Sequence, residues 1–381
     1  MSRVKKRDIL EPLPAEERAA ALETTMKAIA KDFGPGAIMK MGEHSKIKVQ
    51  AMSTGIMPLD LALGIGGLPK GRIIEVYGPE SSGKTTVALH MIAACQKQGG
   101  NAAFIDAEHA LDPEYAAKLG VDIDNLLISQ PDYGEQGLSI AEALVKSGAI
   151  DMVVIDSVAA LTPRAEIDGG FAEQIVGSHA RMMSMALRRL ASTISRTDCI
   201  VIFINQLREK IPTGWSRGPT ETTTGGRALR FYASVRLEVR RGERLTEKQV
   251  PIGVMTIMRV TKNKVAPPFK TVSIELLFGQ GLNLLDGLVE AGVTTGVITK
   301  AGSWFSYGDL RLGQGKSNSA EFIDANPELR QEIEAKILEH LDDMRNASYY
   351  DEDGESDEDD VDDESDDDER ADKLDELLGL D

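Results

Sequence analysis

Cysteine and long apolar runs are scarce in this chain of 381 residues. The two cysteines, Cys95 and Cys199, lie in apolar surroundings, so we expect reduced thiols in the core of a cytoplasmic protein rather than a disulfide framework. No apolar run approaches the roughly 18 residues that cross a bilayer, which argues against a membrane span. The N-terminal residues MSRVKKRDIL carry charge but no apolar h-region, so we expect no secretory signal.

Histidine is also scarce, and the excess of negative charge is confined to one segment. The five histidines show no metal-ligand spacing, so no zinc centre is expected. The formal net charge of −18 arises almost entirely from residues 351–381, which hold 19 acidic and two basic side chains. Because segments of like charge repel, we predict that residues 347–381 form a disordered acidic tail beside a nearly neutral body.

The most specific feature present is the segment GPESSGKT at residues 78–85, which fills the pattern G-x-x-x-x-G-K-[ST]. It follows a strand-like run and precedes a helix-like run, the context that a phosphate-binding loop requires. Backbone N–H groups at a helix N-terminus surround phosphate, Lys84 would reach the β- and γ-phosphates, and Thr85 would bind Mg²⁺. The predicted triphosphate-binding residues are Gly78, Pro79, Glu80, Ser81, Ser82, Gly83, Lys84, Thr85 and Thr86.

The remaining pattern predicts an α/β fold with a mostly parallel sheet flanked by helices. Five near-continuous apolar strands are expected between residues 73 and 204, followed by three shorter strands that form an antiparallel extension. The strand predictions are 73–77, 102–105, 126–129, 152–155, 200–204, 235–239, 254–260 and 273–277. An amphipathic helix is predicted over residues 14–33, ending at Gly34, and another helix begins at Asn326-Pro327. The predicted regions are 1–45, whose helix packs on its own core or on a neighbouring subunit, an α/β triphosphate-binding core at 46–280, a small α/β C-terminal domain at 281–346 and the tail.

Polar residues at three strand ends narrow the chemistry. Asp156 would share Mg²⁺ with Thr85, or else it caps the following turn. Glu108 is our candidate for the group that orients and deprotonates water, with Asp106 as the alternative. Gln206 would sense the γ-phosphate, although plain capping of the strand end fits the sequence as well.

Two irregular segments, at residues 168–177 and 207–224, leave the same side of the predicted sheet. Loops of this length in a compact domain are unusual unless they are functional or disordered. They carry glycine, aromatic residues and basic groups, a composition that suits contacts with a nucleic-acid backbone and with bases. Ordinary solvated loops are the alternative.

Seven segments together resemble the bacterial RecA family of DNA-strand-exchange recombinases, over roughly residues 10–345. They are GPESSGKTT at 78–86, DAEHALDPEYA at 106–116, VVIDSVAALTP at 153–163, ARMMS at 180–184, FINQLR at 203–208, TETTTGGRALRFYASVRL at 220–237 and TKNKVAPPFK at 261–270. The resemblance implies a cytoplasmic, DNA-dependent ATPase that uses ATP and Mg²⁺. Such a protein forms helical filaments on single-stranded DNA and pairs them with homologous double-stranded DNA in recombination and repair. It also implies that the filament promotes self-cleavage of the LexA repressor in the SOS response.

The resemblance also assigns roles to residues. Lys84, Thr85 and Asp156 match ATP and Mg²⁺ ligands, Glu108 the water-activating residue, and Gln206 the link from γ-phosphate to the second DNA loop. The resemblance further implies that Asp112 and Tyr115 lie beside the adenine, and that Phe278 lies beside the nucleotide where better-known members have Tyr. It also implies that Phe231 lies at the subunit interface. Lys262 and Lys264 would reach the ATP of the neighbouring subunit. The implied DNA-binding residues are Arg181, Arg208, Trp215, Arg217, Gly225 and Gly226.

Other functions remain open from the sequence. A phosphate loop alone also serves kinases, GTPases, helicases and transporter subunits. A ring-forming helicase or motor with the same core is the main alternative, although the segments FYASVRL and TKNKVAPPFK favour the recombinase. A nucleotide-gated interaction scaffold is a third interpretation. For the acidic tail, we expect competition with DNA for basic surfaces, with a role in solubility alone as the alternative.

Overall fold

The computed structural model describes residues 14–40, 49–169, 177–209 and 221–350, and the chain divides into two compact units, 1–49 and 50–381. Helix α1 (Ala15–Phe33) forms the described part of the first unit and ends where Gly34 takes a positive φ of 97°. The predicted helix over residues 14–33 is therefore confirmed. Leu22 and Phe33 on this helix are exposed, at 57% and 79%. The acidic tail from residue 351 onward lies outside the described residues.

The second unit contains the remaining described elements. Its strands are β1 (Ala51–Met52), β2 (Leu68–Pro69), β3 (Ile73–Gly78), β4 (Ala102–Asp106), β5 (Leu127–Ser129), β6 (Met152–Asp156), β7 (Ile200–Glu209), β8 (Glu221–Thr223), β9 (Val235–Glu247), β10 (Val250–Asn263), β11 (Thr271–Leu277), β12 (Gly281–Leu282), β13 (Thr299–Ala301), β14 (Trp304–Tyr307) and β15 (Leu310–Gln314). Its helices are α2 (Met57–Leu63), α3 (Lys84–Lys97), α4 (Pro113–Lys118), α5 (Gly134–Ser147), α6 (Arg164–Asp168), α7 (Ser178–Ile194), α8 (Ala228–Tyr232), α9 (Leu284–Thr294), α10 (Lys316–Asp324) and α11 (Pro327–Tyr350).

One large mixed sheet organises this unit. Its order is β12-β11-β10-β9-β3-β7-β6-β4-β5, with β8 paired to β7 outside that path. The run from β9 to β5 is parallel, whereas β10, β11 and β12 add antiparallel strands at one side. The predicted mostly parallel sheet with an antiparallel extension is confirmed. Since β3 and β7 lie side by side, the polar groups at their carboxyl ends meet at one edge.

Alternate residues of the central strands fill two separate cores. Ile74 and Val154 pack on the face covered by α3, whereas Ile73 and Val153 pack on the face covered by α5 and α7. This alternation follows from the pleat of a strand, which points successive side chains to opposite faces. Each fully buried side chain of this kind contributes about 1.5–3 kcal/mol, so an acid among them requires a specific reason. Glu75 in β3 is such an acid, with no exposed surface.

Three details of the sheet differ from the sequence predictions. Strands β9 and β10 are 13 and 14 residues long, so the prediction of short strands there was wrong. Strand β9 also pairs in parallel with β3, which leaves only the later strands antiparallel. Strand β5, predicted to be buried on both faces, lies at the sheet edge, with Leu127 and Ile128 exposed at 50% and 53%. An apolar sequence by itself does not distinguish a central strand from an edge strand.

The C-terminal region combines helices with a small antiparallel sheet. Strands β13, β14 and β15 pair in that order, and α9, α10 and α11 share a buried cluster with Phe305 and Leu312. Met57 and Leu61 of α2 pack against this cluster, which joins the region to the large sheet. Helix α11 begins at Pro327, as predicted. Among the helices of the described residues, none combines the length and apolar character that a bilayer crossing requires.

Candidate functional site

The predicted phosphate loop, residues 78–85, joins β3 to α3, which is the strand-to-helix context that the motif requires. Gly78 ends β3 against β9, and a Cβ atom there would approach the carbonyl oxygen of Val239 to 2.0 Å. Gly83 precedes α3 with a φ of 95°, which disfavours any residue with a side chain. Both glycines are therefore required by the backbone, and the loop they form opens at a helix N-terminus, where anions are stabilised. Ser82 is buried in this loop, and its hydroxyl has no hydrogen-bond partner among the described residues.

Lys84 is folded back onto the loop that precedes it. Its ammonium donates to the carbonyl oxygen of Gly78 at 3.1 Å and to that of Pro79. Burial lowers the pKa of Lys84, while the negative charges of Asp156, Glu108 and Glu80 act against that shift. A phosphate group entering the loop offers this ammonium a better acceptor than two neutral carbonyls.

Thr85 and Asp156 meet behind the loop. The Thr85 hydroxyl donates to Oδ2 of Asp156 at 2.6 Å, although 71 residues separate them in the chain. Asp156 ends the fully buried strand β6, and burial raises its pKa to about 6, with Glu108 and Asp106 adding to the shift while Thr85 and Lys84 oppose it. A buried carboxylate held in this way is a strong candidate to bind a cation.

The donor set fits Mg²⁺ better than a metal that needs several protein ligands. Among the described residues, no group of three or more His, Cys, Asp or Glu side chains could hold a metal ion. Mg²⁺ prefers oxygen ligands, retains several waters and uses one or two protein groups together with substrate phosphates. A hydroxyl and a carboxylate beside a phosphate loop supply that combination.

Glu108 and Gln206 also lie together, although Glu108 follows β4, Gln206 lies within β7, and β6 separates the two strands in the sheet. Gln206 Nε2 donates to Oε1 of Glu108 at 3.1 Å, and the same oxygen accepts a hydrogen bond from the Ser157 hydroxyl. Glu108 is exposed, so it remains accessible to solvent and substrate. The site therefore holds a solvent-accessible carboxylate, Glu108, in direct hydrogen-bond contact with an amide, Gln206. A movement of either side chain would change the position of the other.

Asp106, the alternative to Glu108, is engaged in local structure. Its carboxylate accepts from the backbone N–H of Ala110 at 3.2 Å and of Leu111 at 3.3 Å. Gln130 Nε2 donates a third hydrogen bond at 3.0 Å. Asp106 is only 2% exposed, so these contacts favour a role in shaping the turn that follows β4.

The residues expected beside the base occupy different positions. Asp112 caps helix α4 by accepting from the N–H of Glu114 at 2.9 Å and of Tyr115 at 3.2 Å. The Tyr115 hydroxyl lies 3.2 Å from that of Thr86 in α3, which joins α4 to the phosphate-loop helix. Phe278 follows β11 and is 51% exposed, so its ring is free to stack on a ligand.

Lys262 and Lys264 at the end of β10 form what we call the lysine ledge. Lys262 donates to the carbonyl oxygen of Arg230 at 2.6 Å, and Lys264 donates to that of Phe231 at 3.3 Å. Burial, together with the nearby positive charges of Lys264 and Arg236, lowers the pKa of Lys262 to about 8. Within the described ranges, neither lysine forms an ion pair with an acid. Phe231 beside them is 67% exposed.

The DNA-binding residues that the sequence predicts are only partly described. Arg181 on α7 and Arg208 on β7 are both exposed. Gly225 and Gly226 have φ values of 89° and 76°. A Cβ on Gly226 would approach that of Ala180 to 3.0 Å, so the segment after β8 lies against the start of α7, next to Arg181. Trp215 and Arg217, with most of both predicted loops, lie outside the described residues.

Sequence reasoning missed a polar group buried beneath this edge. Glu75 in β3, Asn205 at the end of the apolar part of β7 and Arg236 in β9 are joined by hydrogen bonds of 2.6 and 2.9 Å. An acid within the run Ile-Ile-Glu-Val-Tyr was the available signal. Its partners lie 130 and 161 residues away, which no local pattern reveals. Ser157, which contacts Glu108, was also not assigned a role.

Comparison with known proteins identifies the relatives of this chain. Residues 20–283 match the RecA N-terminal domain, and residues 287–342 match the RecA C-terminal domain. The chain is 57% identical to Protein RecA of Clostridium botulinum (strain Eklund 17B / Type B) over 84% of its own length and 89% of the relative. For Protein RecA of Clostridium tetani, the identity is 57% over 86% of this chain and 93% of the relative. For that of Staphylococcus carnosus, it is 56% over 85% and 91%.

Proposed function

This chain belongs to the RecA family, and on that premise we propose how its own residues perform the family's reaction. The protein is a recombinase of DNA repair and the SOS response, a DNA-dependent ATPase that binds DNA and forms filaments. The high identity to RecA proteins over most of the chain does not favour the alternative of a ring-forming helicase. What remains is to assign the nucleotide, the metal, the residues and the partners.

We infer that the nucleotide is ATP with Mg²⁺, and one observation carries this assignment. The Thr85 hydroxyl lies 2.6 Å from the Asp156 carboxylate, directly behind a glycine-framed phosphate loop. These two residues would hold Mg²⁺, which neutralises developing charge on the phosphates when it is bound. Lys84 would leave the carbonyls of the loop for a phosphate oxygen.

Glu108 is proposed to orient the attacking water and to accept its proton. Its hydrogen bond from Gln206 is consistent with this, because a change in the position of the amide would alter the carboxylate directly. Asp112, Tyr115 and Phe278 would surround the base. The 78–86 segment would cradle the phosphates through its backbone N–H groups.

The lysine ledge is proposed to act on the ATP of a neighbouring subunit. Two adjacent ammonium groups without an acidic partner in the described part of the chain suit a polyphosphate. A cation supplied from another subunit acts as an arginine finger does, a contribution of about 10³–10⁵ in rate. Filament assembly would also cover exposed apolar residues, among them Leu127 and Ile128 on the edge strand.

DNA binding is proposed to use the side of the sheet from which the two irregular segments leave. Arg181 and Arg208 would contact the DNA backbone, and Gly225 and Gly226 would permit close approach of the protein backbone. Trp215 and Arg217 are proposed contacts from the sequence alone. We also propose the domain division given above, with the region from 281 to 346 contacting double-stranded DNA. A LexA-type repressor as partner and a cytoplasmic location complete the proposal.

The proposal is tested by ATP turnover with and without single-stranded DNA. The wild-type protein is expected to hydrolyse ATP faster when DNA is added, and Lys84→Ala is expected to remove that activity. If Lys84→Ala retained full DNA-stimulated turnover, the assignment of the phosphate loop would fail. Electron microscopy with a slowly hydrolysed ATP analogue is expected to show extended helical filaments, and closed rings would support the helicase instead.

A further inference from the structure

The buried Glu75 divides its two carboxylate oxygens between two neighbouring strands. Oε1 accepts from Asn205 Nδ2 of β7 at 2.9 Å, and Oε2 accepts from Arg236 Nε of β9 at 2.6 Å. Glu75 is fully buried, and Arg236 is 6% exposed. Strand β3 lies between the two and runs directly into the phosphate loop at Gly78.

Asn205 extends this contact towards DNA and towards the γ-phosphate sensor. Its Nδ2 also donates to the carbonyl oxygen of Thr224 at 3.0 Å, at the point where the chain returns from the second irregular segment. Its Oδ1 accepts from the backbone N–H of Gln206 at 2.9 Å. Since Gln206 in turn donates to Glu108, one amide side chain joins the return of this segment to the hydrolytic residues.

Arg236 extends the contact in the other direction, towards the lysine ledge. Its guanidinium lies over the Tyr77 ring, 4.3 Å from the centroid. The Tyr77 hydroxyl lies 2.8 Å from that of Thr261, the residue directly before Lys262. The charge of Glu75 also raises the pKa of Lys262 against the larger effects of burial and of neighbouring cations. The buried acid therefore influences the ledge both through contacts and through charge.

Stability alone does not account for an ion pair at this position. A buried charge pair is costly to desolvate, and well-packed apolar residues of similar volume often stabilise a protein as well or better. The neighbouring positions of β3 are apolar and pack without such a cost. The retained polar group has a fixed geometry with all of its main contacts satisfied, which specifies one arrangement of three strands.

We propose that Glu75 is a positioning residue that couples the DNA-facing end of β7 to the lysine ledge. When DNA binds beside the end of β7 and shifts Thr224, Asn205 transmits the change to Gln206, and Glu75 transmits it through Arg236 to the ledge. This inference rests on the roles proposed for Gln206 and for the ledge. Glu75 itself touches neither nucleotide nor DNA, so its contribution is to the coupling between them.

The test compares two variants with a matched control in the full-length protein. Glu75→Gln keeps the shape of the side chain but leaves Arg236 without a counter-charge. Asn205→Ala leaves the Glu75–Arg236 ion pair in place and removes the hydrogen bonds that the amide makes with Glu75, Thr224 and Gln206, so it remains informative if Glu75→Gln does not fold. Asp60→Asn is the control, because Asp60 is an equally buried acid whose partners are Ser53 and Thr54 of a different segment.

The readouts are ATP turnover with and without single-stranded DNA, and the factor by which ATP tightens binding of a labelled oligonucleotide. For Glu75→Gln and Asn205→Ala we expect DNA stimulation to fall at least about fivefold, the lower end of common coupling factors, with DNA-independent turnover unchanged. We expect the tightening of DNA binding by ATP to fall as well, because it depends on the same contacts, although reciprocity itself holds between the two binding affinities and not for turnover. Asp60→Asn is expected to lower thermal stability but to keep both ratios.

The possible results distinguish a failure of the proposed function from a failure of the coupling role of Glu75. If the wild-type protein shows no stimulation by DNA, the proposed function itself fails. If the wild-type protein is stimulated and either folded variant is stimulated equally, only the coupling role is refuted. Equal losses of coupling in Asp60→Asn would also refute it, since the effect would then belong to any buried acid.

Discussion

The acidic side of the site and the lysine ledge differ in how far one chain completes them. On the acidic side, Asp156 and Glu108 have their partners within the same chain, in Thr85 and Gln206. On the ledge, the ammonium groups donate to backbone carbonyls, and no acid in the described segments forms an ion pair with Lys262 or its neighbour. The proposed ATP and Mg²⁺ ligands on the acidic side therefore have side-chain partners in the same chain, whereas the ledge has only backbone carbonyls. This difference supports our proposal that the ledge acts on the phosphates of another subunit.

Removal of both lysines of the ledge has the largest expected effect. If turnover did not fall, the contrast between the acidic side and the ledge would be wrong. The double variant Lys262→Ala/Lys264→Ala is expected to lose about 10³-fold of DNA-stimulated turnover, at the lower end of the effect of a cation supplied in trans. Nucleotide binding to the isolated subunit is expected to persist, because the phosphate loop is untouched. Turnover is measured by phosphate release, and binding by a fluorescent nucleotide. An unchanged rate, or an equal loss of binding, would place the ledge outside the reaction.

A smaller loss is expected on the acidic side, where Glu108 and Asp106 provide a matched pair. Glu108→Gln is expected to lower turnover about 10²-fold with nucleotide binding retained, because the amide still accepts from Ser157 but cannot take a proton. Asp106→Asn weakens hydrogen bonds to two backbone N–H groups and is expected to cost about 1–3 kcal/mol of stability. Its folded fraction should retain turnover. The reverse outcome, with Asp106→Asn inactive and Glu108→Gln active, would exchange the two roles.

The two sides are also expected to titrate at different pH values. Asp156 must be ionised to bind a cation, and its pKa is raised to about 6, so kcat/KM for ATP should fall as pH drops below 6. Lys262 must be protonated to attract phosphate, and its pKa is lowered to about 8, so kcat/KM should fall as pH rises above 8. Each limb should approach about a tenfold change per pH unit.

Lys262→Arg separates the alkaline limb from other causes. A guanidinium keeps its charge far above pH 8, so the variant should lose the alkaline decline and keep the acid one. For Asp156, stability without ligands has the opposite pH dependence to activity: its folded pKa exceeds the unfolded value, so its burial becomes more costly as pH rises from about 4 to 6. An alkaline limb that stays at pH 8 in Lys262→Arg would show that another group controls it.

The parts of the site that the sequence predicts best are those determined by short segments. The run from Ile73 to Thr86 contains its own strand, glycines and helix start, so the order of strand, loop and helix was predicted at the correct residues. Asp156 and Gln206 were found because apolar runs end at them, although β7 continues past Gln206 to Glu209, so the prediction that this strand ends at the amide was wrong. Their contacts with Thr85 and Glu108 follow from the parallel order of the strands.

The parts that the sequence does not reveal depend on partners far apart in the chain. Strand β9 continues to Glu247, but residues 240–247 are largely exposed and polar. This half of the strand therefore carries no apolar signal in the sequence. The edge position of β5 is decided by strand order and not by its apolar residues. Glu75 appears as a single acid in an apolar strand until Asn205 and Arg236 are brought beside it. Long-range pairing, rather than local preference, sets each of these features.

Complementation between two inactive variants tests most directly whether the ledge serves the ATP of a neighbouring subunit. Lys84→Ala inactivates the phosphate loop of a chain but keeps its ledge. Lys262→Ala/Lys264→Ala removes the ledge but keeps the phosphate loop. In an equimolar mixture on single-stranded DNA, the two variants should assemble head to tail in random order. About one subunit interface in four would then combine an intact loop with an intact ledge. Turnover should therefore recover to roughly a quarter of the wild-type value. Turnover of the mixture no greater than the sum of the two separate variants would contradict the account.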